Sequence, residues 1–108
     1  MKAEYWERGE SLDYTNTGST TIEANSIIDL KTRIAVAGTS IVPKSVGSIH
    51  LTGVYRIKKK DSDAIDFAAP VYYTTDGITA TAGSNTPAGY AAEQSAAGAE
   101  YILVKLQG

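Results

Sequence analysis

Ser48-Ile49-His50-Leu51-Thr52-Gly53-Val54-Tyr55-Arg56-Ile57-Lys58 sets Ile49, Leu51, Gly53, Tyr55 and Ile57 at alternate positions, with His50, Thr52, Arg56 and Lys58 between them. Only Val54 breaks the alternation. Period two over this length predicts one β-strand with a single face in the core. Gly53 in its middle predicts a bulge, or a place where another backbone or ring comes close.

The same pattern extends outward. Pro70-Val71-Tyr72-Tyr73-Thr74-Thr75, then Asp76-Gly77, then Ile78-Thr79-Ala80-Thr81 predict a hairpin, because Asp-Gly suits a tight turn with positive φ at both central residues. Tyr101 to Leu106 predicts a last strand, with Ile102, Val104 and Leu106 facing one way. Shorter strands are expected at Ser26–Lys31, Thr32–Ala37 and Gly89–Glu93. Asp61–Ala69 reads as one helical turn or a loop, and the Ala- and Gly-rich Gln94–Glu100 as a turn. Many short strands with turn residues between them give an all-β fold, a compact small barrel or sandwich.

The chain has 108 residues and a mass of 11.4 kDa, which is room for one domain. A chain this short buries a modest share of its surface, and docking onto copies of itself or onto a partner is the usual remedy. Residues 16–108 are assigned to that domain and residues 1–15 to an N-terminal arm. The arm is charged and carries Tyr5 and Trp6, the latter the only Trp. Two readings stay open for it: a binding segment that orders on its partner, or a first edge strand or frayed end whose Trp packs on its own domain.

Ten basic residues against twelve acidic give a net charge of -2, with a pI near 5.3. Nucleic-acid binding draws on clustered Lys and Arg, so no nucleic-acid partner is expected. The absence of Cys removes disulfides, thiolate metal sites and thiol nucleophiles together. Met1 to Glu10 lacks the apolar core of a signal peptide, and no apolar run reaches the roughly 20 residues that span a bilayer. A soluble product with no membrane partner is the expectation.

Candidate chemistry is sparse. His50, the only His, sits on the polar side of its strand, and no Gly-x-Ser-x-Gly elbow accompanies it. Asp61, Asp63 and Asp66 miss the calcium-loop pattern, because Ile65 and Asp66 stand where a ligand and a Gly belong. They are expected to balance Lys58-Lys59-Lys60 at a solvated turn. Gly38-Thr39-Ser40-Ile41-Val42-Pro43-Lys44-Ser45 has phosphate-loop spacing, but Pro43 replaces the second Gly and brings no N–H. No catalytic residue, metal, cofactor or small-molecule substrate is assigned.

Several stretches, in order, resemble one family. They are Leu12-Asp13-Tyr14-Thr15-Asn16, Arg33-Ile34-Ala35-Val36-Ala37, Gly47, Gly53-Val54-Tyr55, Ala64-Ile65, Val71-Tyr72, Ile78-Thr79, Asn85-Thr86-Pro87-Ala88-Gly89-Tyr90-Ala91 and Val104-Lys105-Leu106. The chain is similar to the tailed-phage and prophage head decoration (capsid cement) proteins, in the branch also labelled a predicted phage recombinase. It departs from the pattern near Asn25 and at Ala68-Ala69-Pro70, where a Gly is usual. The resemblance implies a non-enzymatic structural protein of the virion, made in the host bacterial cytoplasm. It would trimerise on the outer head surface and bind the major capsid protein. It further implies a capsid-binding arm, with Tyr5, Trp6, Leu12 and Tyr14 as the contact residues. The alternatives are a recombination accessory that binds nucleotide or DNA, and a generic β-type surface-binding module.

Overall fold

A computed structural model describes residues 1–106. Nine strands follow in order: β1 Ser11–Thr15, β2 Ile27–Asp29, β3 Ile34–Ala37, β4 Val46–His50, β5 Gly53–Lys58, β6 Pro70–Thr74, β7 Gly77–Thr79, β8 Thr86–Ala91 and β9 Tyr101–Leu106. No helix occurs among the described residues. Asp61–Ala69 is therefore a loop, crossed by a bridge between Ile65 and Ser95.

The strands make two antiparallel sheets, ordered β1-β4-β3-β2 and β5-β9-β8-β6-β7. Neither closes into a barrel. The second sheet curls until its edges touch at one parallel bridge, Lys59 to Ile78, where Lys60 N–H donates to the Ile78 carbonyl at 2.8 Å.

The stretch Ser48–Lys58 is not one strand. The chain leaves the first sheet after His50 and enters the second at Gly53, with the corner at Leu51-Thr52. The alternation survives the corner, since Ile49, Leu51 and Ile57 are all buried while Val54 is exposed. The two sides of the corner feed different apolar clusters, Ile49 and Leu51 one and Ile57 the other. Gly53 holds φ at +121°, and a Cβ there would meet the Tyr55 ring at 3.3 Å. A close ring is thus one reason for this glycine.

Two apolar clusters build the core. Ile57, Val71, Ile78, Ile102, Val104 and Leu106 fill the concave side of the second sheet, joined by Ile34 and Val36 from β3. Ala35 and Ala37 point the other way, into a second cluster with Ile28, Ile41, Ile49 and Leu51. β3 is buried on both faces, which explains its unbroken apolar run. A Cβ at Gly47 would lie 2.7 Å from the Ile41 Cδ1 and closer still to its Cγ1, so Ile41 occupies the space of the missing side chain.

The hairpin forms one residue earlier than expected. Thr74 pairs with Gly77, leaving Thr75 and Asp76 as the turn. Gly77 alone takes positive φ, at +132°. The Thr74 hydroxyl donates to the Gly77 carbonyl at 2.7 Å and accepts from the Asp76 N–H at 3.1 Å, and this fixes the register. β8 begins at Thr86, ahead of the expected Gly89, and a register shift opposite Val71/Tyr72 makes a bulge.

One polar link ties the sheets together: the Thr86 hydroxyl on β8 donates to the Asp29 carboxylate on β2 at 2.7 Å. That hydrogen bond is the main reason the Asp29 pKa lies below its ordinary value of 3.8. Partial burial opposes it, while the Lys31 backbone N–H and ammonium assist. A carboxyl with a lowered folded pKa stabilises the fold fully above its unfolded pKa, and the contribution vanishes as pH falls through the folded value. Asp29→Asn should therefore be less stable than the parent near pH 7, and the difference should close by about pH 2. Urea titrations at the two pH values check this; a gap that persists in acid would show that the carboxylate is not the source.

Candidate functional site

The N-terminal segment has an unusual position. Its last five residues are built into the first sheet as β1, an edge strand paired with β4 from Ser11–His50 to Thr15–Val46. One further bond, Leu51 N–H to the Glu10 carbonyl at 2.9 Å, extends this ladder. Residues 1–10 carry no strand and all are exposed. Gly9, at φ +73°, turns the chain off the sheet edge. The radius of gyration, 14.9 Å, exceeds the about 13 Å of a compact chain of this length, in keeping with a segment that leaves the body.

The four aromatic and apolar residues singled out in the sequence divide accordingly. Tyr5 and Trp6 are 79% and 83% exposed on the free segment. Leu12 lies exposed on β1. Tyr14 is half-buried and packs against the second apolar cluster, so its ring serves the domain. The sequence therefore contains both readings of the arm: a free tip over residues 1–10 and an edge strand after it.

The remaining candidates do not converge. His50 is exposed on β4 opposite Ser11 and Val36, with its Nε2 close over Gly38. Among the described residues no three His, Asp or Glu side chains are grouped as metal ligands. In Gly38–Ser45 the backbone N–H groups of Gly38, Ile41, Lys44 and Ser45 already donate to Ser48, Ile22, Asn16 and Val42 carbonyls. A phosphate cradle needs successive free N–H groups followed by a helix, and here the segment runs into β4. Two open hollows, of about 350 and 510 Å³, lie beside Lys58–Ser62 and between Asn25–Ile27 and Tyr73–Gly77.

The basic triplet and the neighbouring acids behave differently from expectation. Lys59 is buried, and its ammonium donates to the Asp63 carbonyl at 2.7 Å, the Ser95 hydroxyl at 3.0 Å and the Ala96 carbonyl at 3.3 Å. Asp61 instead accepts from the Thr79 hydroxyl, and Asp66 from the Gln94 amide. In place of the expected Asp–Lys charge balance, Lys59, Asp61 and Asp66 each have neutral partners.

One surface escaped the sequence reading. β5 to β9 contain no Asp or Glu, and their charges are Arg56, Lys58 and Lys105. These three alternate with the inward residues, so they lie on the convex face. Register places Arg56 beside Leu103, Lys58 beside Tyr101, and Lys105 beside both Val54 and Tyr90. The Arg56 guanidinium stacks 4.4 Å from the Tyr101 ring centroid, a cation–π contact that presents both groups together. Val54, Tyr90 and Tyr101 are large and exposed. The signal was present in the strand sequences, as the absence of acids between residues 86–91 and 101–106, but it becomes a surface only once β5, β9 and β8 are known to be neighbours.

A family model described as phage cement protein matches residues 6–106. No curated protein and no solved structure matches the chain at a significant level.

Proposed function

The chain belongs to the phage cement protein family, and from that footing we propose that it decorates the outside of a phage head as a trimer and stabilises the shell through contacts with the major capsid protein. The observation that carries this reading is the pair of exposed aromatics, Tyr5 and Trp6, on a segment directed away from the sheet edge. A Trp left in water forgoes a large apolar burial. A short arm that ends in Tyr and Trp has the composition of an interface anchor. A ligand that binds the assembled shell and not its dissociated parts stabilises the shell by mass action. Three arms on one trimer raise the affinity well beyond that of a single contact.

The double variant Tyr5→Ala/Trp6→Ala tests the arm. Capsids assembled without the chain should bind it at least about 100-fold more weakly than the parent, since two aromatic anchors carry about 2 kcal/mol or more each. Its melting temperature should stay unchanged, because neither side chain packs on the domain. Cosedimentation with capsids reads the first result and calorimetry the second. Undiminished capsid binding would remove the arm from the mechanism. Cryo-electron microscopy of the parent particle without density for this chain on the head would remove the decoration reading itself.

A further inference from the structure

We propose that the convex face of the second sheet is the subunit contact, and that it receives the acidic N-terminal segment of a second copy of this chain in a head-to-tail arrangement. This rests on the trimer reading above and names the surfaces that would form it.

Residues 1–15 hold Glu4, Glu7, Glu10 and Asp13 against Lys2 and Arg8, so the whole net charge of -2 resides there. The strands of the second sheet carry only Arg56, Lys58 and Lys105. Glu93, just past β8, is the one acid lining the shallow hollow at Arg56 and Tyr101. Each molecule thus has an acidic limb at one edge and a basic, aromatic face elsewhere. Two different surfaces that complement each other give heterologous association, which closes into a ring when the rotation allows. Complementary potentials also set register between the partners.

Composition and size agree. Exposed Tyr90, Tyr101 and Val54 around a stacked Arg56 have the make-up of an interface core. Strands of this length at about 4.8 Å spacing present a projected area on the order of 400 Å². A stable interface takes about 800 Å² from each partner. A face of this size covered by an arm makes a weak, concentration-dependent contact by itself, and closure of three such contacts into a ring strengthens it. From Glu7 to Glu10, ahead of β1, an extended chain covers roughly 10 Å, the distance from β5 across β9 to β8. Tyr5 and Trp6 precede Glu7 and Glu10 in the chain and remain available for the capsid.

Sedimentation equilibrium of the full chain across a concentration series tests this. The parent should self-associate; Arg56→Glu/Lys58→Glu should weaken association at least tenfold, as should Glu7→Lys/Glu10→Lys. All four changes together should restore it to within a few-fold, an outcome that general damage to the fold does not produce. Circular dichroism on each variant confirms folding. A parent that stays monomeric throughout, or association indifferent to these charges, would overturn the assignment. So would saturable binding of a fluorescent single-stranded oligonucleotide that is lost in Arg56→Glu/Lys58→Glu, because the face would then be a stacking platform for bases. Capsid binding by charge-reversed chains separates this proposal from the decoration reading. Binding retained with association unchanged sinks the contact alone, and binding absent with the charge swap intact sinks decoration alone.

Discussion

Gly77→Ala should lose about 3–5 kcal/mol of stability and melt roughly 15 °C or more below the parent. A Cβ at position 77 would lie 2.7 Å from the Lys58 carbonyl oxygen and 2.8 Å from both the Lys59 carbonyl carbon and the Lys60 nitrogen. All three are backbone atoms, at the point where the edges of the second sheet meet. They are fixed by the Lys60 to Ile78 hydrogen bond and the Lys59–Ile78 bridge, so no side chain can turn aside to make room. Gly77 also holds φ at +132°, which an L side chain rarely adopts. Gly98→Ala separates the two causes. There φ is +84° with nothing within 4 Å of the added carbon, and the backbone penalty alone should cost about 1–2 kcal/mol. Urea denaturation followed by far-ultraviolet circular dichroism measures both variants; Trp6 is exposed on the arm and reports nothing of the core. Equal losses in the two variants would mean that the edge-to-edge contact contributes nothing.

The strands were legible in the sequence where one face is buried and the other wet. β9 was read to its residue limits because Ile102, Val104 and Leu106 point inward while Tyr101 and Lys105 do not. Ser48–Lys58 failed for an instructive reason. Alternation reports only that one side of the backbone meets apolar surroundings, and each sheet offers a cluster there, Ile49 and Leu51 entering one and Ile57 the other. A change of sheet therefore leaves no mark on the period. The Asp76-Gly77 pair announced a hairpin, but the Thr74 hydroxyl moved the turn to Thr75-Asp76. That competing side-chain bond is visible only in the fold. The arm aromatics were legible because large rings in a charged, aperiodic stretch have no core of their own to join. Tyr14 was not separable from them, since only pairing with β4 reveals that its ring turns inward. The basic face is a property of strand order, which no local pattern carries.

Lys59 stands between two exposed lysines and yet is 5% exposed. Burying an ammonium costs several kcal/mol unless every proton finds an acceptor. Its three protons do so, on the Asp63 and Ala96 carbonyls and the Ser95 hydroxyl. Its own N–H donates to the Glu100 carbonyl at 2.8 Å. One side chain thus fastens the loop after β5 to the loop before β9, beside the bridge in which Ile65 and Ser95 exchange two backbone bonds of 2.9 and 2.8 Å. Lys59→Met keeps the length and the apolar stem but leaves two carbonyls and a hydroxyl unpaired, each worth about 1–3 kcal/mol. Relief of the ammonium's desolvation offsets part of that, and a net loss of about 3 kcal/mol is expected. Lys59→Arg should not rescue it, because a planar fork does not fit three acceptors arranged around a point charge. Hydrogen exchange gives the local readout: the Ile65 and Ser95 amides should exchange faster by more than global destabilisation explains, while Val104 tracks the global value. A Met variant within about 0.5 kcal/mol of the parent, the range of an ordinary surface change, would show that the ammonium is a tolerated passenger and that the loops are held by their backbone bonds alone.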